Sequence, residues 1–266
     1  MNIDFAAVLV FLTFLSGFIW LLDSLFFSGN RKATADKSGE DQEPPATPLM
    51  VDYAKSFFPI FLFVLILRSF VAEPFRIPSA SMMPTLLIGD FILVNKYDYG
   101  FRLPVLNTLV IRSKTPERGD IIVFRYPENP AIPYIKRVVG LPGDHIAYYD
   151  KTLFINGEPV EQEVLGKYKA IGSGKMMEGA SLRLEMLDTV AHEILVDIER
   201  YSREVEGIVP DNQYFVLGDN RDNSKDSRYW GFVPDENLIG RAFLIWMNWD
   251  ARNGGIEWGR IGTILK

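Results

Sequence analysis

Two serines, Ser79 and Ser81, flank Ala80 in the stretch "FRIPSASMMPTL". In extended backbone, residues i and i+2 face the same side. Pro78 and Pro84 bias the residues before them, Ile77 and Met83, toward that backbone. The spacing therefore predicts two hydroxyls side by side. One could attack a carbonyl while the other hydrogen-bonds the oxyanion that forms. A polar turn is the plainer reading of the same residues.

A serine nucleophile needs a base. The chain has two histidines, His145 after a Gly-Asp turn and His192 in a charged stretch, and neither setting reads as catalytic. No serine stands at Ser-x-x-Lys spacing. Lys136 is the candidate lysine, in "YIKRVVGLPGD". As part of a strand it shares a face with Tyr134 and Val138, which points it into apolar surroundings. At an ordinary pKa of about 10.4, roughly one lysine in a few thousand is neutral at pH 7, and freeing that base costs about 4–5 kcal/mol. Burial lowers a lysine by up to about 3–5 units and removes most of that cost. On spacing alone, a solvated edge lysine beside Arg137 is the alternative.

The third cluster is "GDNRDNSKDSRYWG", Gly218 to Gly231. It admits three readings. One is a calcium loop, although Asp219, Asp222 and Asp226 do not follow the EF-hand ladder. Another is an Asx-rich turn with a local Asp226–Arg228 ion pair. The third makes Ser224 a hydroxyl that orients the base.

Positioning these groups falls to elements of two kinds. Residues 3–22 form an almost unbroken apolar run, long enough for a membrane-spanning helix. No base precedes the run and no small-x-small site ends it, so it reads as a retained anchor rather than a cleaved leader. Residues 23–56 read as a linker, polar and charged at their centre. A second apolar run, 57–72, contains Arg68 near its end, where a long cation can snorkel. It reads as a second span, with a buried helix of the soluble part as the alternative. Arg31, Lys32, Lys37 and Lys55 place the linker in the cytoplasm and both termini outside.

After Phe75 the texture becomes short β-rich runs between Gly, Pro and Asp turns, with Asn156-Gly157 as a hairpin signal. A mainly β catalytic domain over 73–162 and 210–266 follows, interrupted by a charged inserted lobe at 163–209. Trp246 reads as core. Trp249 and Trp258 are open between core and a membrane-resting belt.

Composition narrows the function classes. In 266 residues the net charge is −6, which disfavours a nucleic-acid partner. Cysteine is absent, which excludes disulfides, thiolate nucleophiles and Cys-based zinc sites. With only two histidines, a His-rich metal site is excluded too.

Four motifs in order resemble the bacterial type I signal peptidases, membrane-bound serine proteases with a Ser/Lys dyad. They are "PSASMMPTLLIGDFILVNK", "RGDIIVF", "YIKRVVGLPGD" and "GDNRDNSKDSRYWGFVP", and the two N-terminal spans also fit. The likeness fades over residues 163–209. It implies an SH3-like or barrel-like β domain with a second β lobe. It implies Ser81 as nucleophile, Lys136 as general base, and Ser79 with the Ser81 backbone N–H as oxyanion hole. Ser224 would orient the lysine, and Asp226 and Arg228 would form a structural pair nearby. Phe75, Ile77, Met82, Leu86 and Ile135 would line shallow pockets for small side chains.

The implied substrates are signal peptides of secreted preproteins, cut after an Ala-x-Ala type site without metal or cofactor. The implied location is the inner membrane, with the catalytic domain on the periplasmic face. Ala80 departs from the common glycine between the serines, and the cysteine pair that some members carry in the second lobe is missing. The competing reading is a membrane-tethered β binding domain with an Asp-rich calcium loop.

Overall fold

The computed structural model describes residues 5–27, 47–102, 108–250 and 255–265. The chain divides into two compact units, Met1–Val71 with Arg102–Val110, and Ala72–Phe101 with Ile111–Lys266.

The first unit is built on two apolar helices. Phe5–Leu22 continues as a π-helical turn over Asp23–Phe27, and Leu49–Ile66 continues the same way over Leu67–Val71. They run antiparallel. The Arg68 guanidinium lies 4.5 Å from the Phe5 ring centre at one end, and Lys55 meets Asp23 at 3.3 Å at the other. Between these contacts Trp20 packs edge-on against Phe58, 5.5 Å between ring centres.

The stretches Phe5–Phe27 and Leu49–Ser69 are long and apolar enough to cross a bilayer, and only 17% and 11% of them are buried within the protein. Apolar helices left this bare suit a lipid solvent. The second helix starts at Leu49, well before the apolar run at 57 that marked it in the sequence. Asp52, Lys55 and Ser56 interrupt the hydropathy there without breaking the helix, since polar residues of this kind continue a helix readily, and Lys55 pairs with Asp23. Most of the expected linker, including Arg31, Lys32 and Lys37, lies outside the described residues.

The strands, in chain order, are β1 (Ala72–Arg76), β2 (Asp90–Asn95), β3 (Phe101–Arg102), β4 (Leu109–Ile111), β5 (Ile121–Tyr126), β6 (Asn129–Gly140), β7 (His145–Tyr149), β8 (Thr152–Ile155), β9 (Glu158–Pro159), β10 (Gln162–Lys167), β11 (Ser181–Leu187), β12 (Val190–Val196), β13 (Val205–Ile208), β14 (Gln213–Leu217), β15 (Val233–Pro234), β16 (Leu238–Asn248) and β17 (Thr263–Ile264). The chain is therefore mainly β beyond its two N-terminal helices, as its sequence texture predicts. The main sheet is antiparallel in the order β1-β2-β16-β5-β6-β14-β15, with β17 on β16. A second sheet runs β10-β11-β12 and a third β13-β7-β8-β9. The hairpin predicted at Asn156-Gly157 joins β8 to β9, with both residues at positive φ, 52° and 88°.

Two expectations change. Residues 163–209 do not stand apart as one lobe. Their first part forms the β10-β11-β12 sheet, while β13 joins β7–β9, which the sequence reading gives to the catalytic domain. Trp246 is 41% exposed rather than core. The β16 pairing with β2 slips between Ile245 and Met247, so Trp246 is the extra residue of a bulge and turns outward onto Phe91. Trp249 and Trp258 are exposed as well.

One core cluster is built from Ile77, Met82, Leu86, Ile92, Val94, Ile121, Val123, Ile135, Ala242, Ile245 and Leu265. It fixes the loop between β1 and β2 beside β6, which is where the chemistry sits.

Candidate active site

The loop after β1 is tied at its base before it reaches the serines. Ile77 N–H donates to the Asp90 carbonyl at 2.8 Å, and Gly89 N–H donates to the Ile77 carbonyl at 3.0 Å. Met82 and Leu86 plug the loop into the core with no exposed surface. That leaves Ser79 exposed and Ser81 buried at the rim, with their hydroxyl oxygens 3.4 Å apart. The two hydroxyls are side by side, as expected, but the segment is a bend and turn between β1 and β2 rather than the extended backbone that the flanking prolines suggest.

On β6, Lys136 pairs with Ile122 of β5 in the middle of the sheet. Its side chain is 4% exposed. Nζ lies 2.6 Å from Ser81 Oγ, donates to the Ile135 carbonyl at 2.8 Å, and sits 5.5 Å from the centre of the Tyr134 ring. The apolar setting expected from Tyr134 and Val138 is therefore realised. Burial drives the Lys136 pKa from 10.5 down to about 8, and the more distant Asp226 and Asp219 pull weakly the other way. At that value about a tenth of the amine is neutral at pH 7. A neutral amine donating to Ile135 keeps its lone pair for the Ser81 proton.

The segment after β14 closes the site from the other side. Asn220 N–H donates to the Ser81 carbonyl at 3.1 Å, and the Asn220 side-chain amide donates to the Ala80 carbonyl at 3.0 Å. Gly218 lies where any Cβ would collide with Ser224 Oγ and the Ser81 carbonyl, so only glycine lets the two segments meet. Ser224 is buried there, and its hydroxyl makes no hydrogen bond, to Lys136 or to another group. Asp226 grips Arg228 through two bonds of 2.8 Å, accepts from the Gly218 N–H at 3.1 Å, and caps the short helix Ser227–Trp230.

The calcium reading of this loop does not hold. Its carboxylates already have cationic partners: Arg137 on Asp219, Lys151 on Asp222 and Arg228 on Asp226. Each points to a different side chain, and no group of three metal-ligating residues converges among the described residues.

The five expected pocket residues do come together. Ile77, Met82, Leu86 and Ile135 belong to one core cluster, and half-buried Phe75 packs on it. Met82 and Leu86 lie wholly inside, so they can shape a pocket floor but offer no surface of their own. His145 is far from this chemistry in character, exposed and paired with Glu206 at 3.0 Å. His192 is buried, with Nε2 at 3.4 Å from Glu185 and 3.9 Å from Asp219.

Sequence reading missed Asn220, Arg137 and Glu185. The first was hidden in an Asx-rich loop, and the other two looked like ordinary strand charges. The signal in each case is a partner distant in sequence.

A family model described as "Signal peptidase, peptidase S26" matches residues 50–249. A protein named signal peptidase I from Pseudomonas fluorescens is 48% identical, covering 94% of this chain and 94% of its own length. Another of that name from Pseudomonas aeruginosa is 45% identical over 99% of this chain and 100% of its own. A third, from Buchnera aphidicola, is 42% identical over 79% of this chain and 80% of its own. With the Ser81–Lys136 contact embedded in that matched region, the chain belongs to the signal peptidase family, peptidase S26.

Proposed function

We propose that this protein is a membrane-anchored serine endopeptidase that removes signal peptides from exported preproteins. The observation that carries the chemistry is the 2.6 Å contact between the Ser81 hydroxyl and a buried lysine whose pKa falls to about 8. Neutral Lys136 takes the Ser81 proton as Oγ attacks the carbonyl after a small residue. Ser79 Oγ and the Ser81 backbone N–H hold the oxyanion, where one donor is worth about 3–4 kcal/mol. The protonated Lys136 then gives its proton to the leaving amine. In the second half it draws a proton from water, which releases the signal peptide from the Ser81 ester. The buried Ser224 hydroxyl, next to the Ser81 backbone across Gly218, serves as a partner for the amine while it carries the proton. Phe75, Ile77 and Ile135, over the floor of Met82 and Leu86, favour small side chains at the cleavage site.

The two apolar helices anchor the protein in the inner membrane, and the positive-inside reading puts the β domain on the periplasmic face. The test is cleavage of a preprotein with an Ala-x-Ala site by wild type, Ser81→Ala and Lys136→Ala in the same detergent. Both variants should lose on the order of 10⁴-fold or more in kcat/KM while remaining folded. The wild-type rate should rise with pH through an apparent pKa near 8. Substantial activity in Lys136→Ala would rule out the dyad.

A further inference from the structure

The segment after β14 rests on the two smaller sheets through buried ion pairs and backbone hydrogen bonds. Directly after Asn220, Arg221 enters a short 3-10 turn, Arg221–Asn223, with its guanidinium 1% exposed. It forks onto Glu185 of β11, which is fully buried, with Nη1 at 2.8 Å and Nη2 in a closer contact. Burial alone would raise the Glu185 carboxyl, but the Arg221 guanidinium overrides it and holds it well below the usual carboxylate range. Gln162 of β10 donates to the same carboxylate at 2.8 Å.

His192 of β12 fills the space between Glu185 and Asp219. Neither of its ring nitrogens makes a hydrogen bond. Its burial and the nearby Arg137 lower its pKa against the pull of Glu185 and Asp219. The loop is held at other points too. Leu195 N–H donates to the Asp219 carbonyl at 2.9 Å, Asp197 N–H to Asp222 at 2.8 Å, and Lys151 to Asp222 at 3.0 Å.

We propose that Glu185 is a positioning residue for the Ser81 nucleophile, acting through Arg221 and the adjoining Asn220. The line of force is short. Glu185 fixes Arg221, Arg221 fixes the turn that begins at Asn220, and Asn220 holds the carbonyls of Ala80 and Ser81. The Arg221 carbonyl also receives Arg228, whose carboxylate partner Asp226 holds Gly218. The sheet that the sequence marks as an insertion thereby sets where Ser81 Oγ stands relative to Lys136.

This inference rests on the proposed protease reading, and the experiment separates the two. Glu185→Gln, the paired variant Glu185→Met with Arg221→Met, Ser81→Ala and Lys136→Ala are compared on one preprotein in detergent. Replacing both ions by apolar groups removes the tie without leaving a buried charge, so the fold should survive. The glutamine variant keeps the side-chain shape and is read if the paired variant melts early. The expected result is a loss of about 10- to 100-fold in kcat with KM within twofold of wild type, in a variant that melts like wild type. A well-folded variant with kcat within twofold of wild type overturns the positioning role. Full activity in Ser81→Ala and Lys136→Ala would instead overturn the protease reading itself.

Discussion

Lys136 and Arg137 are neighbours on one strand, both almost wholly buried, and the structure treats them in opposite ways. Arg137 is clamped by Asp219 through two bonds of 2.9 Å and donates to the Gly119 carbonyl at 2.7 Å. Among the described residues Lys136 has no carboxylate in contact; its hydrogen bonds go to a hydroxyl and a carbonyl, beside the Tyr134 ring. A buried cation with a bonded anion stays charged and becomes structure. One without such a partner lowers its pKa and becomes a reagent. The alternation of the strand sends the two side chains to opposite faces, and what waits on each face decides their fates.

That contrast can be broken first from the structural side. Asp219→Ala removes the carboxylate that clamps Arg137 in the interior, and should cost about 3–5 kcal/mol in a denaturant titration. A cost below about 1 kcal/mol would mean that the pair is not the anchor its burial suggests.

The reactive side is sharpened by stability against pH. The folded-state pKa of Lys136 lies below its unfolded value, so the unfolded chain binds the extra proton between about 8 and 10.5. The penalty of burying the charged lysine is therefore fully present below about pH 8 and disappears as pH rises toward 10.5. Wild type should gain up to about 3 kcal/mol across that window relative to Lys136→Met, which lacks the group. Parallel curves for the two proteins would show that Lys136 is solvated.

The smallest effect belongs to Ser224. Its hydroxyl has no partner in the resting site. Ser224→Ala should move the rising limb of kcat/KM by less than about one pH unit and leave the melt unchanged. A limb identical to wild type would remove Ser224 from the proton pathway.

The sequence carried the parts of the site that depend on local geometry. A lysine on the face of Tyr134 follows from strand alternation, and β6 has it; the two serine hydroxyls also lie together, but in a bend and turn between β1 and β2 rather than in a strand. It did not carry the pairings. Asp219 read as a calcium-loop or Asx-turn residue, because its partner Arg137 is on a strand far upstream. Glu185 sits in "SLRLEML", inside the charged stretch 163–209 that reads only as an inserted lobe. It is buried because Arg221 neutralises it, and no periodicity reveals that. Helix limits failed for a related reason. Lys55 and Asp52 look like the end of an apolar run, yet Lys55 is inside the helix and matched across to Asp23.

The grip of Asn220 on the Ala80 and Ser81 carbonyls also has a consequence in time. A ribosome delivers Ser81 first, Lys136 next and Asn220 late. A half-made chain thus carries both members of the dyad without the clasp that sets them, and the cutting edge is assembled only when the last strands of the sheet arrive.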